Sequence, residues 1–273
     1  MRFVSFASSS SGNSALISYK NTNILVDCGI SRKRIVENLE KYDLTLNDID
    51  CIFVTHSHSD HIQGLPMVLK YNNIKVAGLR ETLIDVYETL EKSNIKINYD
   101  NFKIIRPMNL LNDEHYITLK DIKICPLKGC HDKPSLYYKF ILGDMKIAIL
   151  TDMGRYNDMV LRNLSDVEYM MLECNYDYDM LMNSSRPPEL KARIIGIGGH
   201  LSNKDCSEIL EDLFNKNLKY AYLSHISDEA NSEEYALEYV TNYFISKGKN
   251  EFVNQIKIAR RLEKTEIIID SDL

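Results

Sequence analysis

The 273-residue sequence lacks several features that would assign it to a specialised class of protein. Its six cysteines form no CxxC pair, which argues against a zinc ribbon and against a disulfide framework. No run of about 18 apolar residues is present, so the sequence offers no membrane-spanning segment. The N-terminal apolar stretch is too short for the hydrophobic region of a secretory signal. We therefore expect a protein of the reducing cytoplasm with no membrane partner.

Linkers, repeats and basic arms are missing as well. No stretch rich in glycine, proline or serine divides the chain, and 44% of its residues are hydrophobic, which is enough to bury a core without covalent staples. These observations predict one domain over residues 1–273. The formal net charge of −6 predicts modest non-specific affinity for a phosphate backbone. The charge thus argues mildly against a nucleic-acid substrate, although bound cations would offset it locally.

Local patterns predict several secondary-structure elements. Ser31 is expected to cap a helix that runs to about Lys41, and further helices are expected over Asn203–Asn215 and Ser232–Ile245. Apolar runs on either side of Gly143 predict a β-hairpin. Strands and helices therefore mix along the whole chain, which indicates an α/β protein.

The most informative segment is Thr55–His61, which reads Thr-His-Ser-His-Ser-Asp-His. It follows the apolar stretch Ile49–Val54, whose pattern predicts a buried strand, and it precedes a helix expected from Ile62. Imidazoles two residues apart can hold one ion from a tight turn, and an adjacent Asp-His pair can reach a second. Such ligands suit zinc, manganese or iron. A solvated histidine-rich loop without metal is the alternative, and the strand–loop–helix context disfavours it.

The spacing His-x-His-x-Asp-His after a hydrophobic strand resembles the signature of the metallo-β-lactamase superfamily. The resemblance implies an αββα four-layer sandwich with a metal site along one edge. It also implies three later ligands, and His131, Asp152 and His225 each follow a strand-like segment where one is expected. The interval between the last two is too short for the cap of the β-CASP nucleases. The implied ligands are His56, His58, Asp60, His61, His131, Asp152 and His225.

The same resemblance implies a division of these ligands between two divalent ions, zinc or manganese, with iron as a third option. His56, His58 and His131 would hold the first ion, Asp60, His61 and His225 would hold the second, and Asp152 would bridge the two. Such a pair of ions activates water for attack on phosphorus. Asp60 would also orient that water, so it is expected to act in catalysis as well as in binding.

Longer segments narrow the resemblance. Phe3–Ser14, Asp27–Ser31, Leu172–Asp177 and Gly199–Asn203 together resemble the YycJ/WalJ-like proteins of the superfamily. The serine-rich loop departs from that pattern, because it reads Ala-Ser-Ser-Ser-Ser-Gly where many members have a glycine at the third position. The resemblance covers nearly the whole chain and implies a nuclease, with 5′-to-3′ exonuclease activity on DNA.

A more distant resemblance, to the tRNA 3′-processing endonucleases, assigns the remaining histidine. Ser224–Ser227 resembles the segment that carries their last metal ligand, and Gly199–Ser202 resembles the segment that precedes it. His200 is therefore expected to protonate the leaving group, oriented by Glu173. The alternative is that His200 only hydrogen-bonds backbone beside a helix start. Sequence order alone does not separate His200 from His225.

Serine hydroxyls and backbone N–H groups near the N-terminus suggest a phosphate-binding loop, with an ordinary hairpin turn as the alternative. The candidate substrate-binding residues are Ser10, Ser11, Asn13 and Ser202. Three functions stay open. A dinuclear hydrolase of phosphodiester bonds, acting as a nuclease on DNA, is favoured over a small-molecule hydrolase of a cyclic phosphodiester, lactone or thioester. A weakly active regulatory member is disfavoured by the complete ligand set. The sequence does not indicate an oligomeric state.

Overall fold

The computed structural model describes residues 1–95, 98–107, 116–156, 158–214 and 216–269. The strands are β1 Arg2–Ser9, β2 Gly12–Tyr19, β3 Thr22–Val26, β4 Cys51–Phe53, β5 Lys75–Gly78, β6 Phe102–Ile104, β7 Ile117–Leu119, β8 Ile122–Lys128, β9 Leu136–Leu142, β10 Met145–Leu150, β11 Tyr169–Glu173, β12 Tyr220–Ser224, β13 Ile256–Ile258 and β14 Thr265–Ile269. The α-helices are α1 Arg32–Glu40, α2 Ser59–Ile62, α3 Leu65–Tyr71, α4 Arg80–Lys92, α5 Asp158–Leu164, α6 Tyr178–Asn183, α7 Pro188–Ile195, α8 Asn203–Phe214 and α9 Glu233–Ser246. Three short 3₁₀ turns lie at Leu46–Asp48, Tyr99–Asn101 and Asn250–Gln255.

The strands form two sheets of mixed direction. The first has the order β14-β1-β2-β3-β4-β5-β6, and the second has the order β13-β12-β11-β10-β9-β8-β7. In each sheet one half is built of antiparallel hairpins and the other half of parallel strands, β3 to β6 in the first and β10 to β13 in the second. Parallel strands need helical crossovers, which explains why helices follow β3, β4, β5, β10, β11 and β12.

The two sheets pack face to face, and helices cover both outer faces. Between the sheets, side chains such as Phe3 and Ile24 of the first sheet meet Phe140 and Ile147 of the second. Helices α1, α3 and α4 bury their apolar faces on the outside of the first sheet, and α5, α8 and α9 do so on the second. The fold is therefore the predicted four-layer αββα sandwich, in which most strand residues are buried on either face.

Most of the predicted elements are confirmed. Ser31 caps α1, because its hydroxyl accepts a hydrogen bond from the N–H of Arg34 at 3.3 Å, and Ser232 caps α9 in the same way. The hairpin around Gly143 is β9 and β10, with Gly143 at a φ of +67° that favours glycine. The helix predicted over Asn203–Asn215 is α8, although Asn215 itself lies outside the described residues.

One buried hydrogen bond joins the sheets beside the predicted metal loop. The hydroxyl of Tyr138 on β9 donates to the carbonyl of Val54, at the end of β4, over 2.9 Å. Its ring packs edge-on against Phe53, with 5.6 Å between centroids. A second link runs from the N–H of Leu136 to the carbonyl of Thr55 over 2.9 Å. The position of the loop relative to the second sheet is therefore fixed by direct bonds.

The helices of the described residues are short. The longest, α9, has 14 residues, whereas a membrane span needs about 20. None of the helices in these ranges is both long and apolar enough to cross a bilayer.

Candidate metal centre

The seven predicted ligands follow the carboxyl ends of strands in both sheets. Segment Thr55–His61 follows β4, Asp152 follows β10, and His225 follows β12, while His131 lies in the loop after β8. Although they come from four separate parts of the chain, the structure brings all seven together at one edge of the sandwich. Strand ends converge there because the parallel halves of both sheets point their carboxyl ends at that edge.

Three imidazole nitrogens converge in the first group. Nε2 of His56 lies 3.0 Å from Nδ1 of His58, which in turn lies 3.2 Å from Nε2 of His131. Oδ1 of Asp152 lies 4.0 Å from Nε2 of His56 and 3.7 Å from Nε2 of His131. One ligand atom from each of the four residues lies within 4.8 Å of the others. The arrangement offers three imidazole nitrogens and one carboxylate, a donor set that suits zinc or another divalent transition metal.

The second group is formed by Asp60, His61 and His225. Oδ2 of Asp60 lies 3.4 Å from Nε2 of His61 and 3.4 Å from Nε2 of His225. Oδ2 of Asp152 lies 3.0 Å from Nε2 of His61, so this carboxylate presents one oxygen to each group. That placement is the geometry a bridging carboxylate requires.

A third cluster joins Asp152 to Glu173, His200 and His225. Here one oxygen, Oε1 of Glu173, lies 2.9 Å from Nδ1 of His200 and 2.6 Å from Nδ1 of His225. The Glu173 carboxylate also accepts hydrogen bonds from the N–H groups of Asp152, Met153 and Leu201. Since its oxygens are already bonded to donors, Glu173 orients both imidazoles and is not free to act as a ligand.

Each histidine of the first two groups is held through its other ring nitrogen. His61 is bonded to Asp27 over 2.7 Å, His131 to the carbonyl of Gly199 over 3.1 Å, and His56 to the hydroxyl of Thr55 over 3.1 Å. Nε2 of His58 lies 3.3 Å from Oδ1 of Asp132, whose other oxygen accepts from Nε of Arg193 over 2.6 Å. Such outer contacts set the tautomer and ring orientation of metal-binding histidines.

Sequence reasoning missed Asp27 and Asp132 as site residues. Asp27 carried a usable signal, because it follows an apolar strand directly, and Asp152 follows its own strand with one residue between them. Asp132 is adjacent to His131 in sequence, and its role becomes visible only where Arg193, from α7, meets it.

Three site residues have a backbone conformation that side chains other than glycine seldom adopt. The φ angles of Asp27, Asp152 and His225 are +60°, +57° and +52°. Each residue lies where the chain leaves a central strand, and the left-handed turn directs its side chain towards the centre. Left-handed backbone of this kind is costly and concentrates at functional sites.

The centre is rich in buried negative charge. Burial would raise the pKa of Asp152, but the imidazoles of His225, His61 and His56 outweigh it and hold that pKa well below the usual range. Burial also opposes ionisation of Glu173, yet its histidine neighbours lower its pKa to about 2. Both carboxylates are therefore ionised at neutral pH, as metal coordination requires.

The histidines divide into two kinds. Burial and the neighbouring His61 lower the pKa of His56 well below its ordinary value, so His56 is an uncharged imidazole that can act as a metal ligand. For His61, burial is outweighed by Asp27 and the other carboxylates, and its pKa is raised well above the ordinary value. The pKa of His225 is raised for the same reason. Positive charge is thus favoured at this end of the centre, where protons on imidazoles or a divalent cation can supply it.

The residues present fit divalent cations. Oδ2 of Asp152 is buried beside Nε2 of His61, which lies 3.0 Å away, and it has no other hydrogen-bond partner among the described residues. A buried carboxylate oxygen needs a cationic partner, which a proton on His61 or a divalent ion can supply. The histidine and aspartate groups therefore indicate a site for divalent metal.

The four candidate substrate-binding residues lie in different environments. Ser10 and Ser11 form the exposed turn between β1 and β2. Asn13 is buried, and its Nδ2 lies 3.1 Å from Nε2 of His61 and 3.2 Å from Oδ2 of Asp60, so it contacts the second ligand group. The hydroxyl of Ser202 accepts a hydrogen bond from the N–H of Asp205 over 3.1 Å, which caps the start of α8, and it donates to the Asp205 carboxylate over 2.6 Å. The predicted contact of Ser202 with substrate stays a prediction.

Comparison with known sequences places these features in a family. The model of the β-lactamase superfamily domain matches residues 22–226. The exodeoxyribonuclease WalJ of Streptococcus pneumoniae is 30% identical over 231 residues, which cover 84% of this chain and 83% of that protein. The exodeoxyribonuclease YycJ of Bacillus anthracis is 28% identical over 255 residues, which cover 91% of this chain and 90% of that protein.

Solved structures agree on the fold. Human tRNase Z, short form, superposes with a TM-score of 0.61 over 98% of this chain and 99% of that one, at 17% identity. Yeast PDE1 superposes with a TM-score of 0.68 over 98% of this chain and all of that one, at 15% identity. At such low identity these likenesses concern the architecture alone.

Proposed function

The chain belongs to the β-lactamase superfamily, and we propose that it is a dinuclear metal-dependent phosphodiesterase that acts as an exonuclease on DNA. Two relatives named exodeoxyribonuclease, each matched over more than four fifths of its own length, support a nucleic-acid substrate. The single observation that carries the dinuclear proposal is the position of Asp152, whose two oxygens face two separate groups of ligand atoms.

In this proposal the ligand sets follow the two groups. The first ion is held by His56, His58 and His131, the second by Asp60, His61 and His225, and both by Asp152. We propose zinc or manganese, because histidine and carboxylate ligands suit both metals. None of the six cysteines forms a disulfide, and they contribute no ligand atom to the groups found among the described residues. Reduced cysteines also support a cytoplasmic location for a single catalytic domain.

The protein's own side chains have separate tasks. When bound, two divalent ions would neutralise the phosphate oxygens and acidify the attacking water. Asp60, with its side chain 17% exposed, is placed to orient that water through an oxygen at the rim of the second group. His200 has 21% of its side chain exposed, whereas His225 has 2%. With Nδ1 bonded to Glu173, His200 presents Nε2 towards the open side, where it can donate a proton to the leaving oxygen.

A small phosphodiester is the second candidate substrate. The formal net charge of −6 opposes long polyanions more than small ones, because non-specific affinity for a strand depends on the number of neutralised phosphates. Neither the Ser10–Ser11 turn nor the surface beside His200 closes off the centre. Both a DNA strand and a small phosphodiester can therefore reach it. Activity on long strands relative to a short diester therefore separates the two candidates.

Turnover by metal-defined protein tests the proposal. The purified protein is loaded with zinc or manganese and assayed on DNA labelled at either end, on RNA of the same sequence and on a nitrophenyl phosphodiester. We expect stepwise shortening of DNA and two metal ions per chain by elemental analysis. Hydrolysis of the short diester alone favours the second candidate, and absence of hydrolysis of all substrates contradicts both.

A matched pair of variants links that activity to the bridging carboxylate. Asp152→Asn keeps a residue that tolerates the left-handed backbone but removes the charge that faces both groups. We expect it to lose metal and nearly all turnover. Asp144→Asn, in the exposed hairpin turn, is the control and should match the parent protein. Full activity in Asp152→Asn would overturn the assignment of this residue.

A further inference from the structure

A basic groove lies outside the ligand groups, between α1 and α3. It encloses about 790 Å³ and is bordered by the turn residue Ser11, by Arg32, Lys33 and Arg34 of α1, and by Met67 and Tyr71 of α3, among others. The groove takes no part in metal binding, so its composition needs another explanation.

The placement of the three cations is unfavourable for the helix itself. Arg32, Lys33 and Arg34 occupy the first turn of α1, and that turn contains no acidic residue. Cations destabilise a helix at its N-terminal end, where the partial charge of the backbone is positive. Local stability therefore does not account for the cluster, whereas an anion bound in the groove would.

The three cations differ in how firmly the fold holds them. Arg34 donates to the carbonyl of Leu262 over 2.7 Å and is committed to the fold. Nε of Arg32 is buried without a hydrogen-bond partner among the described residues, and Lys33 has 84% of its side chain exposed. Lys33 has one acidic neighbour, Glu37, at 3.8 Å, and a pair this exposed contributes little.

The groove has a charged end and an aromatic wall. Two acidic residues, Glu37 and Glu40, border the groove. Glu40 is the last residue of α1 and lies about 12 Å along the helix from Arg32 by the ordinary rise per residue. Tyr71 is 60% exposed, and its ring lies 5.3 Å from the guanidinium of Arg32 and 5.4 Å from the ammonium of Lys70. Positive charge and an exposed aromatic ring therefore occur side by side.

The charged end adjoins the metal centre. Gln63 borders the groove and donates to the carbonyls of Ser11 and Gly29 over 2.8 and 2.5 Å. Two residues after Ser11 comes Asn13, whose side chain contacts Asp60 and His61. Two residues span at most about 7 Å, so a strand that occupies the groove can reach the centre without a gap of many nucleotides.

We propose that this groove is a binding site for single-stranded DNA, which holds the substrate strand beyond the bond that is cleaved. The inference rests on the proposed function. Phosphates of the strand contact Arg32 and Lys33, and a base contacts the exposed ring of Tyr71. This combination of backbone cations and an aromatic platform is the usual way in which proteins bind single strands without reading their sequence. It also explains how a chain with a net negative charge can engage a polyanion.

Binding of a labelled oligonucleotide tests the site independently of cleavage. Affinity of the full-length protein for a fluorescent single-stranded DNA is measured by anisotropy in chelator, over a range of salt concentrations. For Arg32→Gln/Lys33→Gln we expect about a tenfold loss of affinity and a salt slope that is smaller by about 1.4, since each phosphate contact on a single strand contributes about 0.7. Tyr71→Ala should weaken binding with an unchanged slope.

Kinetics on two substrates separate failure of this inference from failure of the proposed function. The double variant should raise KM for a long DNA strand about tenfold and leave turnover of a nitrophenyl phosphodiester unchanged. Its urea midpoint should not fall, because two unfavourable cations have been removed from the helix start. Lys216→Gln, which removes an exposed lysine that is paired with Asp212 and does not border the groove, is the control.

Equal binding of the double variant and the parent would overturn the inference, even if DNA is cleaved. Tighter binding of RNA than of DNA would overturn the choice of strand. If the parent cleaves no diester yet binds DNA through Arg32 and Lys33, the result supports the groove as a DNA-binding site and contradicts the proposed function.

Discussion

Nδ1 of His61 lies 2.7 Å from Oδ2 of Asp27, and both residues are almost completely buried. Asp27 also accepts hydrogen bonds from the N–H and hydroxyl of Thr55, the residue that opens the histidine loop. One carboxylate at the end of β3 thus fixes both the start of that loop and its last histidine. The backbone at Asp27 is left-handed, with a φ of +60°. Apart from glycine, aspartate and asparagine adopt this conformation at the lowest cost.

Asp27→Asn should therefore weaken the second metal site while preserving the fold. Asparagine tolerates the same backbone and can still accept from Thr55, but it offers His61 no negative charge. We expect metal affinity to fall about 10- to 100-fold, the usual effect of removing such an outer partner. Competition with a chromophoric chelator measures it. Asp43→Asn is the control, because Asp43 is exposed and has a φ of +57°. Equal loss in both variants would contradict a specific role for Asp27.

Replacing His200 should reduce the rate on DNA, whereas replacing His225 should reduce the metal content. His200→Asn is expected to retain both metals and to lose about 10²- to 10⁴-fold in rate on DNA, the usual range for general acid catalysis. The loss should shrink on a nitrophenyl phosphodiester, whose leaving group needs no proton. His225→Asn should lower metal content and slow both substrates, because Nε2 of His225 faces Asp60 in the second group.

The two variants are compared by elemental analysis and by rates on both substrates. Since Glu173 contacts both rings through one oxygen, its removal cannot separate them, and the histidine variants are needed. Loss of metal from His200→Asn with full occupancy in His225→Asn would show that the two roles are exchanged.

The ligands could be predicted because the metallo-β-lactamase resemblance implies which residue types to expect, and recognisable strands precede them. The Thr55–His61 loop, Asp152 and His225 each come after an apolar run, and parallel strand ends meet at one edge. The supporting contacts were harder to predict, since they join distant parts of the chain. Asp132 meets Arg193 of α7, and nothing in either local pattern indicates that pairing. Left-handed backbone at Asp27 was likewise not evident from residue type.

The fold was predictable where elements are long and capped, and less so at the margins of the sheets. Helices α1 and α9 each begin after a serine N-cap, Ser31 and Ser232, and both were predicted. The edge strands β6, β7 and β13 have three residues each, too few for a pattern to be visible. The bounds of helices α6 and α7 were not predicted, although Asp177 caps α6 and Pro188 lies at the start of α7.

Tyr138→Phe should destabilise the sandwich without changing its shape. Tyr138 is fully buried, and its hydroxyl donates to the carbonyl of Val54 across the two sheets. The variant keeps the ring and leaves that carbonyl without its partner, so we expect a loss of about 1–3 kcal/mol in the free energy of unfolding. Urea denaturation measures the loss. Tyr220→Phe, on an exposed ring of β12, should change stability little. No difference between the variants would contradict a structural role for the inter-sheet bond.

The ion triad of Lys139, Lys146 and Asp166 should make stability depend on pH. Nζ of Lys139 lies 2.5 Å from Oδ1 of Asp166, and Nζ of Lys146 lies 2.6 Å from Oδ2. Burial alone would raise the pKa of Asp166, but the two ammonium groups outweigh it and lower that pKa below its usual range. A lowered carboxyl pKa in the folded state contributes stability above the unfolded pKa of about 3.9, and the contribution is lost as pH falls through the folded pKa.

Asp166→Asn is therefore expected to destabilise the protein at pH 7 and to have little effect at strongly acidic pH. The side chain of Asp166 is 42% exposed, so solvent screens the pair and we expect only about 1 kcal/mol at pH 7. Lys139 keeps one partner in the variant, the carbonyl of Asn163 at 2.8 Å, which also limits the loss. Urea denaturation of chelator-treated parent and variant at pH 7, 5 and 3 measures the difference, and added salt should reduce it. A difference that stays constant down to pH 3 would mean that the asparagine disturbs packing, and that the charge of Asp166 contributes nothing.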